Sequence, residues 1–376
     1  MAALPATEVL FIVANPVAHG ARLAQSVTRG VRSSTLSLVA DARFSDPALA
    51  VDFAFPGISA RSLKATVTVR RLRFAVAARR ALPRGVGLRG SANWLYREYI
   101  FAAQAVRYAA THAAVSKLAP TTILLTDFDR SAYCRPWIWA AKRAGMATAT
   151  LMHGSPNELN YIPVLADNAL VWGQAQESWL AQRSPDTSTM IIGRPDLSST
   201  RLTTAPAERV VLCHSREALT PRETQAVGAQ LRAFKSRGLT ICLRFHPTSA
   251  KEDLGPGWHA IAGMADEVVP GRGSFAASLR GSDIVVCVAS SAAIESVALG
   301  IPTIVLAGAD RSLPADLEAI RAQTPEMLEA TRGSGPVVLS GSSAYVRLAA
   351  HLLAASGPAA SDRLDRAVTA VRRGAA

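Results

Sequence analysis

The sequence predicts an α/β protein made of two doubly wound domains that face each other across a cleft. Three observations predict it. Short β-branched runs alternate with helical stretches along most of the chain, the pattern of parallel sheets buried on both faces. The chain has 376 residues, 49% of them hydrophobic, long for a single core and ample for two. A polar stretch, DLSSTRLTTAPAE, interrupts the alternation midway, and the alternation then starts again. The expected layout is an N-terminal α/β domain over residues 1–195, a linker over 196–208, a second α/β domain over 209–343, and helices over 344–376 that pack back on the first domain.

The elements follow in order. Val9 to Ala14 is an apolar, strand-like run. Residues 62–115 are helical in composition. Ile123 to Thr126 reads as a strand ending at Asp127, and Trp137 to Ala144 as a helix closed by Gly145. Strands follow at Ala147 to Leu151, ending at His153-Gly154, and at Ala169 to Trp172. A helix begins at Ser178, and Met190 to Ile192 is a strand before Gly193-Arg194-Pro195. In the second half, Val210 to Cys213, Thr240 to Phe245 and Glu267 to Val269 are strands, with helices at Pro221 to Arg237 and Phe275 to Leu279. The stretch SDIVVCVASSAAIESVALGIPTIVLAG has the length of a membrane span, but Ser290-Ser291, Glu295 and Gly300-Ile301-Pro302 break it. It reads as strand Ile284 to Val288, helix Ala292 to Leu299 and strand Thr303 to Leu306, a buried βαβ unit. The tail from Ala344 to Arg373 is helical, interrupted near Gly357-Pro358.

Charge is unevenly placed. The net charge is +13, which suggests polyanionic partners. No acidic residue occurs from Phe53 to Arg97, where Arg70, Arg71, Arg73, Arg79 and Arg80 lie close together. These arginines are candidates for an acceptor-facing or anionic-membrane surface, or for a plain solvated face. No nucleic-acid module is visible, and none is expected as a partner. Cys134, Cys213, Cys242 and Cys287 have no metal-binding spacing and read as reduced, buried thiols of a cytoplasmic protein. The N-terminus lacks a basic segment ahead of an apolar core, so a signal peptide is not expected. Peripheral attachment to the inner face of the cell membrane is the expectation if the arginines meet lipid.

In open α/β sheets, ligands sit outside the carboxyl ends of the strands. The polar residues expected there are His153, His214-Ser215, Arg244, His246, Gly271-Arg272-Gly273 and Ser290-Ser291. The serine pair lies where a strand gives way to a helix, so helix amides and hydroxyls together can hold a phosphate. Taken alone, such a serine is an ordinary N-cap. Glu295 lies one turn further on and suits a ribose diol; the plain alternative is a solvated helix glutamate. His246, fixed by Pro247, can donate to a phosphate oxygen. His153 and Asp127, at strand ends of the other domain, are candidates to activate an acceptor hydroxyl.

The pattern TLMHGSPNELNYIPVLADNALVWGQAQESWLAQ…MIIGRPDL, then LRFHP, then SDIVVCVASSAAIESVALGIP, resembles bacterial GT-B-type enzymes of surface-polysaccharide synthesis. These include capsule and sialic-acid transferases with HP and SS motifs, and the CDP-glycerol glycerophosphotransferases. The resemblance covers Ile123 to Ala307. It implies a GT-B-like pair of Rossmann-type domains. It also implies that His246, Ser290 and Ser291 contact the donor phosphate, that Glu295 holds the donor ribose or sugar, and that His153 acts near the acceptor. The chain departs from these families at Asp127-Phe128-Asp129, which is followed by Arg130 and not glycine, at Met152, and at Val288-Ala289. Asp127-Phe128-Asp129 also matches a metal-binding triplet of another transferase fold, but its place in a two-domain α/β pattern argues against metal use.

The leading expectation is therefore a metal-independent glycosyltransferase with no cofactor. It would use a nucleotide-activated sugar to extend a cell-surface polysaccharide or its lipid-linked precursor. Ser215, Arg244, Gly271 and Arg272 join the donor side, with His246 also placed to assist departure of the leaving group. A CDP-alditol phosphotransferase, a sugar epimerase and a non-catalytic GT-B-like binding module are the alternatives.

Overall fold

The computed structural model describes residues 6–14, 21–39, 53–54, 104–105, 107–197, 205–246, 249, 254–271, 274–332 and 343–375. The arginine cluster Arg70, Arg71, Arg73, Arg79 and Arg80 lies outside these residues, as does Arg272.

The strands of the first domain are β1 (Val9–Val13), β2 (Thr35–Val39), β3 (Phe53–Ala54), β4 (Ile123–Thr126), β5 (Thr148–Leu151), β6 (Asn168–Val171) and β7 (Ser188–Ile191). They form one parallel sheet in the order β3-β2-β1-β4-β5-β6-β7. The second domain has β8 (Arg209–Cys213), β9 (Thr240–Arg244), β10 (Glu267–Val269), β11 (Asp283–Cys287) and β12 (Thr303–Val305). Their order is β10-β9-β8-β11-β12, again parallel throughout. Both sheets are doubly wound. The chain runs outward on one side, then returns to build the other, so each sheet has a switch point, at β1/β4 and at β8/β11.

The central strands are apolar because helices cover both their faces. All five residues of β1, β8 and β11 are buried. Arg209 and Asp283 are exceptions by type, and they pair at the amino ends of β8 and β11, with Nε–Oδ1 at 2.9 Å and Nη2–Oδ2 at 2.8 Å. The helix Pro221–Lys235 starts where sequence signals put it. Thr220 accepts from the Glu223 amide, Glu223 accepts from the Thr220 amide, and Pro221 occupies the first turn.

Several elements differ from expectation. The helix after β6 begins at Gln174, earlier than Ser178, because Gly173 supplies its extended N-cap. Phe275 to Leu279 forms only a short 3-10 turn, Ala276–Ser278, tightened by Ser278 Oγ donating to the Phe275 carbonyl at 2.6 Å. Helices Ala21–Gly30, Pro256–Ala262 and Ala315–Arg332, and strand β2, had no sequence assignment. Proline obscured two of these helices: Pro256 opens one, and Pro325 lies inside the other.

One apolar cluster runs through both domains. It joins Trp172, Trp179 and Leu180 to Leu317, Ile320, Tyr345 and Leu352. After the helix Ser343–Leu352 the chain crosses back over the ends of β6 and β7. The Ala354 N–H donates to the Trp172 carbonyl (3.0 Å), and the Arg194 N–H to the Ala355 carbonyl (2.9 Å). The last helix, Gly357–Ala375, then packs Leu364, Val368 and Val371 against Leu23, Val27 and β1 of the first domain. No helix among the described residues is long and apolar enough to cross a membrane.

Candidate functional site

The register Cys213↔Cys287 sets the carboxyl ends of β8 and β11 side by side. His214-Ser215 therefore flanks Ser290-Ser291 at the switch point, where a ligand of a doubly wound sheet is expected. Ser290 and Ser291 are half-buried. Ser290 Oγ accepts from the Ala292 amide at 3.3 Å. Ser291 occupies the N-cap of Ala292–Ala298, but its side chain makes no capping bond. Ser215 is buried within its own turn, with Oγ 3.5 Å from the Glu217 carbonyl.

His246 follows β9, the other neighbour of β8. Its amide donates to Nδ1 of His214 at 3.4 Å. That bond fixes the His214 tautomer, with the proton on Nε2. His214 packs edge-on against Trp258 (4.8 Å) and Phe245 (5.8 Å). Burial, then the nearby charge of His246, pushes its pKa down to about 4. His246 is also pushed down, by burial and then by Arg216. Both imidazoles thus favour the neutral form in the absence of an anion.

Arg244 differs from the expected direct phosphate contact. It is buried, lies over the Phe275 ring at 5.7 Å, and donates from Nη2 to the Gly271 carbonyl at 3.2 Å. It braces the Gly271 loop from inside. Gly271 is buried and accepts this bond through its backbone.

On the facing domain, His153 follows β5. Its Nδ1 donates to the Asp127 carbonyl at 2.6 Å, because a carbonyl only accepts. Nε2 is therefore the basic nitrogen of the ring. Phe128 (5.1 Å) and Tyr161 (5.6 Å) wall the imidazole. The expectation that Asp127 itself activates an acceptor is corrected. Asp127 is fully buried, and its Oδ1 takes the Ala14 amide at 2.6 Å, tying β1 to β4. Its carbonyl holds the His153 ring. Asp129 is buried as well. Its Oδ2 accepts from the amides of Leu165 (2.6 Å) and Ala166 (3.1 Å), while burial pushes its carboxyl up. The two aspartates thus brace backbone, and no group of three metal-ligating side chains occurs among the described residues.

Glu295 sits one turn into its helix, as expected, but it also reaches across the domains. Its Oε1 accepts from Arg194 Nη1 at 3.1 Å, while Oε2 is buried with no hydrogen-bond partner. Arg194 binds Asp196 in a two-pronged pair at 2.8 and 2.7 Å and stacks over Trp172 at 4.4 Å. Burial opposes the charge on this guanidinium, but Asp196 and then Glu295 more than offset it, so its pKa is raised. Arg194 was visible in the sequence only as part of Gly193-Arg194-Pro195, and nothing local marked its partner.

Sequence reasoning also missed Asp316, Tyr161 and Gln176. Asp316 opens the helix Ala315–Arg332 and is buried, with Oδ1 on the Leu317 amide at 2.8 Å. Burial pushes its carboxyl up to about 6, against weaker lowering by the Leu317 amide, Ser155 and Gln176. Gln176 accepts from the Trp172 amide (2.9 Å) and donates to the Gly154 carbonyl (3.2 Å). A carboxylate in the first turn of a helix looks like a routine dipole partner, so its burial could not be read from sequence. Two cavities, of about 610 and 540 Å³, lie away from these residues. One is at the amino ends of β5–β7, and the other lies beside Pro221 and Pro256.

No family model matches the sequence, and no curated protein matches it. Solved structures do. HepE of Anabaena in complex with UDP superposes with a TM-score of 0.56 at 11% identity, covering 96% of this chain and 99% of that one. The UDP-GlcNAc 2-epimerase of Neisseria meningitidis bound to UDP-GlcNAc gives 0.52 at 11% identity, over 96% and 99%. The calicheamicin glycosyltransferase CalG4 gives 0.52 at 14% identity, over 98% of each chain. The chain has the GT-B fold. At these identities the likeness is one of fold, and GT-B enzymes include both transferases and epimerases.

Proposed function

We propose that the protein is a glycosyltransferase that takes a nucleotide-activated sugar and transfers it to a cell-surface polysaccharide or its lipid-linked precursor. One observation carries the reading. The β8/β11 switch point gathers Ser290, Ser291, Ser215 and the His214–His246 pair on one sheet, opposite an imidazole of fixed tautomer on the other. The donor diphosphate would lie against Ser290, Ser291 and His246, where hydroxyls, helix amides and a protonated imidazole neutralise it without a metal. His153 Nε2 would take the proton of the acceptor hydroxyl as the new glycosidic bond forms and the nucleoside diphosphate leaves. Glu295 Oε2 would accept from the ribose. The complexes of HepE with UDP and with UDP-glucose support a nucleotide-sugar ligand for this fold.

The test is thermal stability against CMP, CDP, UDP, GDP and dTDP, with and without Mg²⁺, in wild type and His246→Ala. A ligand at 100 times its Kd stabilises by about 2.7 kcal/mol. We expect one nucleotide to raise the midpoint without metal, with the shift lost in His246→Ala. A response to none of them would remove the reading. Preference for CDP together with phosphate incorporation into product would move it to an alditol phosphotransferase.

A further inference from the structure

The flank of the first domain that carries the helix Arg135–Arg143 is cationic, with no acid of its own turned to solvent. Residues 99–157 contain two acidic side chains, Asp127 and Asp129. Both are buried and accept from backbone amides. The cations of the same stretch do reach solvent: Lys117, Lys142 and Arg143 are exposed, and Arg130 and Arg135 are half-buried. The two helices that bring them together are tied, with Thr111 Oγ1 of the helix over 107–115 donating to the Pro136 carbonyl at 3.1 Å. The helix Arg135–Arg143 turns Pro136, Trp137, Ile138, Ala140 and Ala141 inward. Its outward stripe is Arg135, Trp139 and Arg143, spaced by four and so on one face. Trp139 keeps 42% of its surface in water between the two arginines. Acids from outside the flank are otherwise engaged or peripheral to the stripe: Asp167 meets Lys142 at 2.7 Å, and Glu158 pairs with Arg183 at 3.2 Å. At the other end Arg130 donates to the Glu158 carbonyl at 3.0 Å, so the flank begins on the segment that follows His153.

We propose that this flank docks on an anionic bilayer surface, with Trp139 at the headgroup level and Lys117, Arg135, Lys142 and Arg143 toward the lipid phosphates. The inference stands on charge and exposure and does not need the transferase reading. Charge complementarity names the partner: a face rich in cations and without solvent-facing acids of its own is attracted to a surface of negative lipids. Trp139 narrows it further. An aromatic ring among cations suits a boundary that is apolar on one side and anionic on the other. A nucleic-acid duplex would draw on the cations alone and leave the ring unused. The plain alternative for Lys142 and Arg143 is the carboxyl end of their own helix, which favours cations. That accounts for neither Trp139 nor Lys117 nor the missing acids. The last helix is also basic, but its Asp362 and Asp365 meet Arg32 at 3.8 and 3.7 Å, so its charges are interspersed.

The experiment sediments the full chain with vesicles of phosphatidylcholine, alone or with about 30% phosphatidylglycerol, at about 0.1 M and about 0.5 M salt. The variants are Lys117→Gln with Arg143→Gln, Trp139→Ala, and a matched charge control on the last helix, Arg363→Gln with Arg366→Gln. Expected is binding to the anionic vesicles only, lost at the higher salt. The Lys117/Arg143 variant should bind about twentyfold more weakly, at about fivefold per cation near the surface. Trp139→Ala should bind about fivefold more weakly, and the control within about threefold of wild type, because distant charges are screened. No binding to anionic vesicles, equal weakening in the two double variants, or a Lys117/Arg143 variant that binds as wild type does would overturn the face. Tighter binding to duplex DNA than to the vesicles, unchanged in Trp139→Ala, would overturn the bilayer as its partner. The nucleotide thermal shifts should be the same in every variant, so failure here leaves the proposed activity standing, and failure there leaves this face.

Discussion

Asp316 and His214 show how burial sets chemistry at single residues, in opposite directions. Asp316 moves from 3.8 to about 6 on folding. Between those values the folded state keeps a proton that the unfolded state has lost, so stability falls as pH rises through this window. The penalty persists above it. At about 1.4 kcal/mol per pKa unit, Asp316→Asn should stabilise by about 2–3 kcal/mol above pH 6.5 and by little near pH 3.5. His214 moves from 6.5 to about 4. There the unfolded chain takes the proton first, so the contribution is present above 6.5 and lost as pH falls toward 4. Urea midpoints of wild type and Asp316→Asn across pH 3.5–8 separate the two, because only the Asp316 component vanishes in the variant. A variant that tracked wild type at every pH would show that the carboxyl is not held in this buried state. At this scale the sequence placed Ser290, Ser291 and His246 at strand ends correctly, because strand ends are local. It assigned Asp127 and Arg244 to contacts that the fold has turned to bracing, because which way a side chain turns depends on packing from other elements.

At the scale of elements, the crossing near residue 193 is tightly constrained. Gly193 has φ +84°, and a Cβ there would stand 2.1 Å from the Ala355 carbonyl oxygen. Gly238 has a similar φ of +79° with nothing within 4 Å. Gly238→Ala should therefore cost only the backbone term, about 1–2 kcal/mol. Gly193→Ala should cost clearly more and loosen the segment after Leu352, read as faster proteolysis between the last two helices. Equal costs for the two substitutions would mean that the crossing is not tightly packed. The periodic elements were legible in the sequence: β4 and β10 match their expected bounds, and the βαβ unit is within a residue or so. The helix Ala315–Arg332 was not, because its Pro325 is a local signal against helix that tertiary packing of Leu317 and Ile320 overrides.

Across the whole molecule, the Asp196–Arg194–Glu295 triad is an ionic link between the domains. Its side chains are at most 10% exposed. Removing the cation leaves two buried carboxylates facing each other, a loss of about 3–5 kcal/mol. Arg194→Met should lower the urea midpoint accordingly, and adding Asp196→Asn with Glu295→Gln should recover much of it. A single variant as stable as wild type would show that the triad does not couple the domains. Glu295 accepts from Arg194 through Oε1, so the proposed ribose contact and the domain contact share one side chain.

The sequence by itself determined the two-domain α/β class, the switch to a second sheet after residue 208, and the serines and histidines at strand ends. Each of these follows from local patterning: β-branched runs, turn residues and helix starts. Only the tertiary structure decided that Glu295 pairs with Arg194, that Asp127 braces β1, and that Ser155 and Asp316 meet. Those juxtapositions join residues far apart in the chain, and their energies come from burial and from partners that no local stretch of sequence contains.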